Sequence, residues 1–80
     1  MITSEQLRGA RHMLKLTVED LARESGLGVA TLKRMEAGFG VPSANLRSIQ
    51  ALCETYLRMG LEFTGSPEAQ PGIRLLHHRR

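Results

Sequence analysis

The stretch Thr17–Gly38, T-V-E-D-L-A-R-E-S-G-L-G-V-A-T-L-K-R-M-E-A-G, predicts two short helices joined by a tight turn. Thr17 is a good N-cap for the first helix, because its hydroxyl can accept a hydrogen bond from a free backbone N–H of the first turn. Asp20 follows three residues later, where a capping box has its second partner and the helix dipole favours an acid. Gly26 can adopt the left-handed conformation that ends a helix, and a second helix then begins near Gly28.

Length and composition limit what this chain can be. Eighty residues form one domain with a small core, in a size range where association often adds stability. With 41% hydrophobic and 24% charged residues, the chain is typical of a folded soluble protein, and its net charge of +3 is compatible with a polyanionic partner. One cysteine excludes an internal disulfide, and no apolar run resembles a membrane span or a signal peptide. We therefore expect a cytoplasmic protein.

Another helix precedes the opening stretch. Thr3 and Gln6 form a capping box, so this helix should begin near Ser4. Apolar residues then recur at helical spacing. Arg11 lies on or beside that apolar stripe, where an unpaired charge is expensive, and Glu36 is the candidate partner.

A longer helix follows the stretch. The segment F-G-V-P-S at 39–43 is a loop because of its two glycines and its proline. Ser43 is a natural N-cap for a helix from about Ala44 to Met59, which Gly60 closes. The apolar stripe of this helix is broad and comprises Leu46, Ile49, Leu52, Cys53, Tyr56 and Leu57.

After this helix the period of the pattern changes. The segments L-E-F-T at 61–64 and I-R-L-L at 73–76 are strand-like, and G-S-P-E-A-Q-P-G between them is turn chemistry. They predict a small antiparallel hairpin with a long loop. A two-stranded hairpin is marginally stable alone, so it should pack on the helices or pair with a second copy. We expect H-H-R-R at 77–80 to be a flexible basic tail.

The order of these elements resembles the Cro/CI-type helix-turn-helix of phage repressors and the wider XRE family of bacterial regulators. The resemblance is carried by L-R-G-A-R at 7–11, T-V-E-D-L-A at 17–22, S-G-L at 25–27, T-L-K-R-M-E-A-G at 31–38, P-S at 42–43 and L-R-S-I-Q-A-L at 46–52. It implies a mainly α, lambda-repressor-like bundle of four or five helices over residues 1–60, whose third helix enters the major groove of DNA. The C-terminal β-hairpin or strand at 61–76 is an addition to that bundle.

The resemblance also implies roles for individual residues. Arg11 and Glu36 fall where the family commonly has a buried ion pair joining the first helix to the end of the third, which agrees with the need of Arg11 for a partner. DNA-contacting positions carry over to the start of the second helix and the first turns of the third. With neighbouring residues added, the DNA-contacting set is Arg8, Thr17, Val18, Gly28, Val29, Ala30, Thr31, Lys33, Arg34 and Phe39.

The recognition surface departs from the family pattern at Gly28–Ala30, where many relatives have Ser, Gln or Arg. Small apolar groups can pack on thymine methyls, and only Arg34 can bind guanine O6 and N7 with two hydrogen bonds. Lys33 is better interpreted as a phosphate contact. The alternatives are that the apolar segment packs against the second helix and that both cations form a solvated face. Phe39 either contacts a DNA sugar or covers the core.

The sequence therefore predicts a sequence-specific DNA-binding transcriptional regulator that binds an inverted-repeat operator as a homodimer. The hairpin is the candidate dimerisation element, with Leu61, Phe63, Ile73, Leu75 and Tyr56 at the interface. One alternative is the antitoxin of a toxin–antitoxin pair. The other is a protein-interaction module that keeps the fold without binding an operator, which the apolar surface at 29–30 motivates.

No metal, cofactor or enzymatic activity is expected. His77 and His78 are adjacent, so their side chains point apart in an extended chain, and no cysteine or acidic cluster accompanies them. Cys53 is interpreted as a small core residue. No nucleophile, base and orienting group come together in the sequence. The expected partners are double-stranded DNA and a second copy of the chain, with a further protein partner left open.

Overall fold

A computed structural model of the chain describes residues 2–76, so the predicted basic tail and its two histidines lie outside the described residues. The element order is α1 (Ser4–Met13), α2 (Val18–Ser25), α3 (Val29–Glu36), α4 (Leu46–Arg58), β1 (Leu61–Ser66) and β2 (Ala69–Leu75). The predicted mainly helical fold with a C-terminal β-hairpin is confirmed, with four helices over the described residues.

Side-chain caps begin the first two helices. The Thr3 hydroxyl accepts the Gln6 N–H at 3.1 Å, and Gln6 Oε1 accepts the Thr3 N–H at 2.8 Å. Thr17 and Asp20 exchange the same pair of bonds at 2.9 and 3.0 Å. Gly26 has a φ of 78° and ends α2 in the left-handed conformation. These three predictions are confirmed, because each depends on a few neighbouring residues.

The predicted start of α4 is wrong by two residues. Asn45 rather than Ser43 is the N-cap, and its Oδ1 accepts the Ser48 N–H at 2.8 Å. The buried stripe is also narrower than predicted, since Leu46 and Leu57 are 59% and 53% exposed. Both lie at least a third of a helical turn away from the buried Leu52 and therefore face solvent.

The core lies between the helices and the inner side of the hairpin. α1 and α2 each pack on α3, and α2 also packs on α4. The side chains that are completely buried and apolar are Leu7, Ala10, Leu21, Leu32, Met35, Leu52, Tyr56 and Leu61. Every helix and β1 therefore contribute to one core, which is where a chain of this length gains its stability.

The antiparallel pairing of the hairpin places Leu61 opposite Leu75 and Phe63 opposite Ile73. The predicted long loop is wrong, because the strands continue to Ser66 and from Ala69 and leave a two-residue turn. Between the pairs Thr64–Gly72 and Ser66–Ala69, β2 has one residue more than β1, and a register shift accommodates it. Gly65 and Gln70 take positive φ values of 74° and 53° there. Turn-forming residues within a bulged hairpin thus resemble a loop in sequence.

The hairpin packs on the helices of its own chain, β1 on α4 and β2 on α1. Tyr56 and Leu61 are completely buried there, and the Phe63 ring packs edge-on against Tyr56 with centroids 5.5 Å apart. Phe63 and Ile73 are partly buried against the same core. The assignment of Tyr56 and Leu61 to a dimer interface is therefore corrected, since a second chain cannot contact them. Leu75 is 55% exposed and stays accessible.

Gln6 joins α1 to the hairpin in addition to capping α1. Its Nε2 donates to the carbonyl oxygens of Thr64 at 3.1 Å and Gly72 at 2.8 Å. The side chain is buried, with 5% of the residue exposed. The sequence predicts only the cap, because the two carbonyls lie far away along the chain.

We expect Gln6→Ala to lower the free energy of unfolding by about 2 kcal/mol, since it removes the cap and leaves two partly buried carbonyl oxygens without their donor. Urea denaturation followed by circular dichroism measures this loss. Gln6→Glu is the matched control, because a carboxylate keeps the acceptor of the cap but cannot donate to the hairpin. If Gln6→Glu is as stable as the wild type at neutral pH, the link to the hairpin contributes nothing.

Candidate nucleic-acid interface

The two helices of the opening stretch are held at a fixed angle by the turn between them. Gly26 ends α2, Leu27 packs partly buried against the core, and Gly28 is the N-cap of α3 in an extended conformation. Leu32 and Met35 then fix the inner side of α3, each fully buried. The opposite side of α3 consequently faces solvent.

That outer side presents two cations. Ala30, Lys33 and Arg34 are exposed, as is Gly28 at the N-cap, whereas Val29 and Thr31 are half-buried. Neither Lys33 nor Arg34 forms an ion pair within residues 2–76. Both are therefore free to bind an anion or a base edge, and the predicted contact residues on α3 lie together along its outer and flanking surface.

The start of α2 is more occupied than its sequence indicates. Thr17 is exposed and Val18 is half-buried against the core. The Asp20 carboxylate accepts the Thr17 N–H at 3.0 Å and pairs with Arg23 at 2.6 Å. The Thr17 N–H above all, and then the hydroxyl and the guanidinium, hold the pKa of the Asp20 carboxyl below its ordinary value. A charged carboxylate thus stands beside the helix terminus, and the donors left for a phosphate are backbone N–H groups.

Arg11 and Glu36 lie together as an ion pair between α1 and the end of α3. Arg11 Nε is 2.8 Å from Glu36 Oε2 and 3.1 Å from Oε1, and Arg11 Nη1 donates to the Leu16 carbonyl at 3.0 Å. The two side chains are 15% and 8% exposed. The hydrogen bond that Arg11 donates to Glu36 raises the pKa of the Arg11 guanidinium against the opposing effect of burial. This contact fixes the position of the last turn of α3.

Arg8 makes contacts that the sequence does not predict. Its Nη1 donates to the carbonyl oxygens of Glu36 and Gly38, the latter at 2.7 Å, so it caps the C-terminus of α3. Ser4 adds a third link, with its hydroxyl 2.7 Å from the Met35 carbonyl. No pattern in the sequence identifies these contacts, because they join residues about thirty positions apart. A phosphate contact by Arg8 stays a prediction.

Phe39 lies three residues beyond the end of α3 and is 84% exposed. The Arg8 guanidinium lies 5.7 Å from the centroid of its ring. The interpretation that Phe39 covers the core is therefore wrong, because so exposed a ring buries little surface against it. Contact with a DNA sugar stays a prediction.

Two other groups take no part in the surface formed by α3 and the start of α2. The Tyr56 hydroxyl is buried without a hydrogen-bond partner among residues 2–76, and burial, reinforced by Glu36, raises its pKa far above the ordinary value. Cys53 is half-buried, and desolvation raises its pKa too.

Over the described part of the chain, no three His, Cys, Asp or Glu side chains are grouped to hold a metal ion. None of the described helices has the length and apolarity to cross a membrane.

Comparison with known proteins agrees with this geometry. A family model described as helix-turn-helix domain matches residues 4–62, which covers α1 to α4 and the first residues of β1. No curated protein and no solved structure gives a match. The match is consistent with an XRE/Cro-type regulator and with DNA binding as the general role of the domain. The chain belongs to the helix-turn-helix domain family.

Proposed function

We propose that this protein is a sequence-specific transcriptional regulator that inserts α3 into the major groove of an operator. One observation carries the proposal: Lys33 and Arg34 are exposed and unpaired on α3, whereas Leu32 and Met35 hold the opposite side in the core. A short helix fixed in this way can present side chains to base edges without rearranging the fold.

The residues of this surface have separate roles in the proposal. Arg34 donates two hydrogen bonds to a guanine, and Lys33 binds a phosphate. The small side chains Val29, Ala30 and Thr31 pack on thymine methyls, and the absence of a side chain at Gly28 lets the backbone approach the DNA closely. Outside α3, the proposed contacts are the Thr17 and Val18 backbone at a phosphate, Phe39 at a sugar and Arg8 at a phosphate.

The protein acts in this proposal as a homodimer on an inverted repeat. Two copies related by a two-fold axis place two α3 helices in successive major grooves, about 34 Å or roughly 10 bp apart. The operator half-sites should therefore have that spacing or a multiple of it.

The test is selection of binding sequences from random double-stranded DNA, followed by titration of the enriched sequence. We expect Arg34→Ala to lower affinity for that sequence by roughly 10- to 100-fold and to relax the preference at one base pair, because a bidentate contact is lost. Lys33→Ala should lower the affinity for all DNA sequences about equally. It should also reduce the slope of log affinity against log salt concentration by about one.

Arg74→Ala is the control for loss of one positive charge, since Arg74 lies on β2 and pairs with Glu62 at 2.6 Å. It should bind as the wild type does. If no sequence is enriched and binding shows no salt dependence, the regulator proposal fails, and the protein-interaction module or antitoxin accounts better for the fold.

A further inference from the structure

The outer side of α4 carries an apolar stripe that the rest of the chain does not cover. Leu46 and Leu57 are 59% and 53% exposed, and Cys53 between them is half-buried. The three residues are spaced by seven and four positions, so they share one side of the helix. Ile2 and Phe63 border shallow depressions beside Cys53, which extend the apolar surface towards β1.

Two opposite charges flank the stripe without partners. Arg47 and Glu54 are exposed about a quarter of a turn round α4 from the stripe, and neither forms an ion pair within residues 2–76. They are separated by two turns of helix, too far to pair with each other in one chain. Neither is paired within its own chain in this structure, so both are available to a complementary charge on another molecule.

We propose that this surface, the α4 stripe with its flanking charges, is where two copies of the chain associate with their α4 helices antiparallel. A two-fold axis between Ala51 and Leu52 places Leu46 opposite Leu57 of the second copy. It also places Glu54 about 3 Å along the helix axis from the level of Arg47 of the second copy, on the same flank. Each contact occurs twice, as two-fold symmetry requires.

The geometry of the hairpin and of α3 supports this choice of surface. Tyr56 and Leu61 are buried within one chain, so the inner side of the hairpin cannot form the interface. α4 packs against α2 and β1. The proposed dimer surface on α4 and the proposed DNA surface on α3 therefore lie on different helices and share no residue. The inference rests on the proposed function, which requires a dimer, and it names the surface that forms it.

Sedimentation equilibrium of the protein without DNA, over a series of concentrations, tests the interface. The wild type should associate to a dimer. Leu57→Glu should weaken association at least tenfold, because the two copies together place a charge at each end of the dimer interface. Leu75→Glu is the matched control, since Leu75 is 55% exposed but lies on the hairpin. It should dimerise as the wild type does. A wild type that stays monomeric, or a dimer lost in Leu75→Glu and kept in Leu57→Glu, would overturn the proposal.

A charge exchange tests the antiparallel pairing independently of folding. Glu54→Arg and Arg47→Glu should each weaken the dimer about tenfold, because each places like charges opposite one another. The double variant should restore association, and failure of this rescue would overturn the pairing. The DNA proposal is separable from this one: a monomeric Leu57→Glu that still binds a selected half-site supports α3 as the DNA surface. A wild-type dimer that enriches no DNA sequence keeps the interface and removes the regulator function.

Discussion

Glu36→Ala should unfold at a much lower urea concentration than the wild type, with a loss of about 3–5 kcal/mol in the free energy of unfolding. The Glu36 carboxylate is 8% exposed and accepts the Nε–H of Arg11 at 2.8 Å. Without it, the guanidinium stays in a site that is 15% exposed, with the Leu16 carbonyl as its remaining acceptor. The loss arises from that uncompensated charge rather than from the attraction alone.

Two further variants distinguish this explanation from a general effect of losing an acid. Glu62→Ala breaks the pair with Arg74, whose side chains are 35% and 63% exposed, and should cost less than about 1 kcal/mol. The double variant Arg11→Met with Glu36→Leu removes both charges and should regain most of the stability that Glu36→Ala loses. An unchanged denaturation midpoint for Glu36→Ala would contradict the buried-pair interpretation.

Gly65→Ala should destabilise the protein by about 3 kcal/mol and disturb the hairpin register. Gly65 has a φ of 74°, and an added Cβ would lie 2.1 Å from the Gln70 carbonyl oxygen and 2.8 Å from that of Ala69. Both atoms belong to the backbone of the facing strand, so the turn must open to admit the methyl group. Urea denaturation measures the loss, and amide chemical shifts of β1 and β2 report the register.

Gly40→Ala separates the strain of the backbone from the clash. Gly40 has nearly the same φ, 75°, but nothing lies within 4 Å of an added Cβ. Its substitution should therefore cost about 1 kcal/mol, the strain of a left-handed residue alone. Equal losses for the two variants would show that the turn shifts freely and that the close approach at Gly65 has no energetic weight.

Much of the fold was predictable because it depends on local signals. The Thr3 and Thr17 capping boxes and the end of α2 at Gly26 each require only a few neighbouring residues. The alternation of apolar and polar residues likewise predicts the two strand segments, which the structure pairs with Phe63 opposite Ile73. The start of α4 was not predictable in the same way, since Ser43 and Asn45 are comparable N-caps and packing decides between them.

In the candidate site, too, local features were predictable from the sequence and contacts between distant residues were not. Lys33 and Arg34 are placed on the outer side of α3 by the helical period alone, and the structure finds them exposed. The two hydrogen bonds of Arg8 to the end of α3 join residues about thirty positions apart and leave no pattern in the sequence. Burial of Tyr56 under the hairpin likewise depends on how β1 docks on α4.

The anchoring of α3 makes its two ends unequal. The last turn is bonded to α1 by Ser4, Arg8 and Arg11, whereas Gly28 offers the first turn no side-chain cap. Fraying of this eight-residue helix should therefore start at its N-terminus, while its C-terminal turn stays fixed against α1. In the proposed complex the first turn, with Gly28, Val29 and Ala30, is thus the adaptable part of the recognition surface, whereas Arg34 extends from the anchored last turn, whose direction α1 keeps constant.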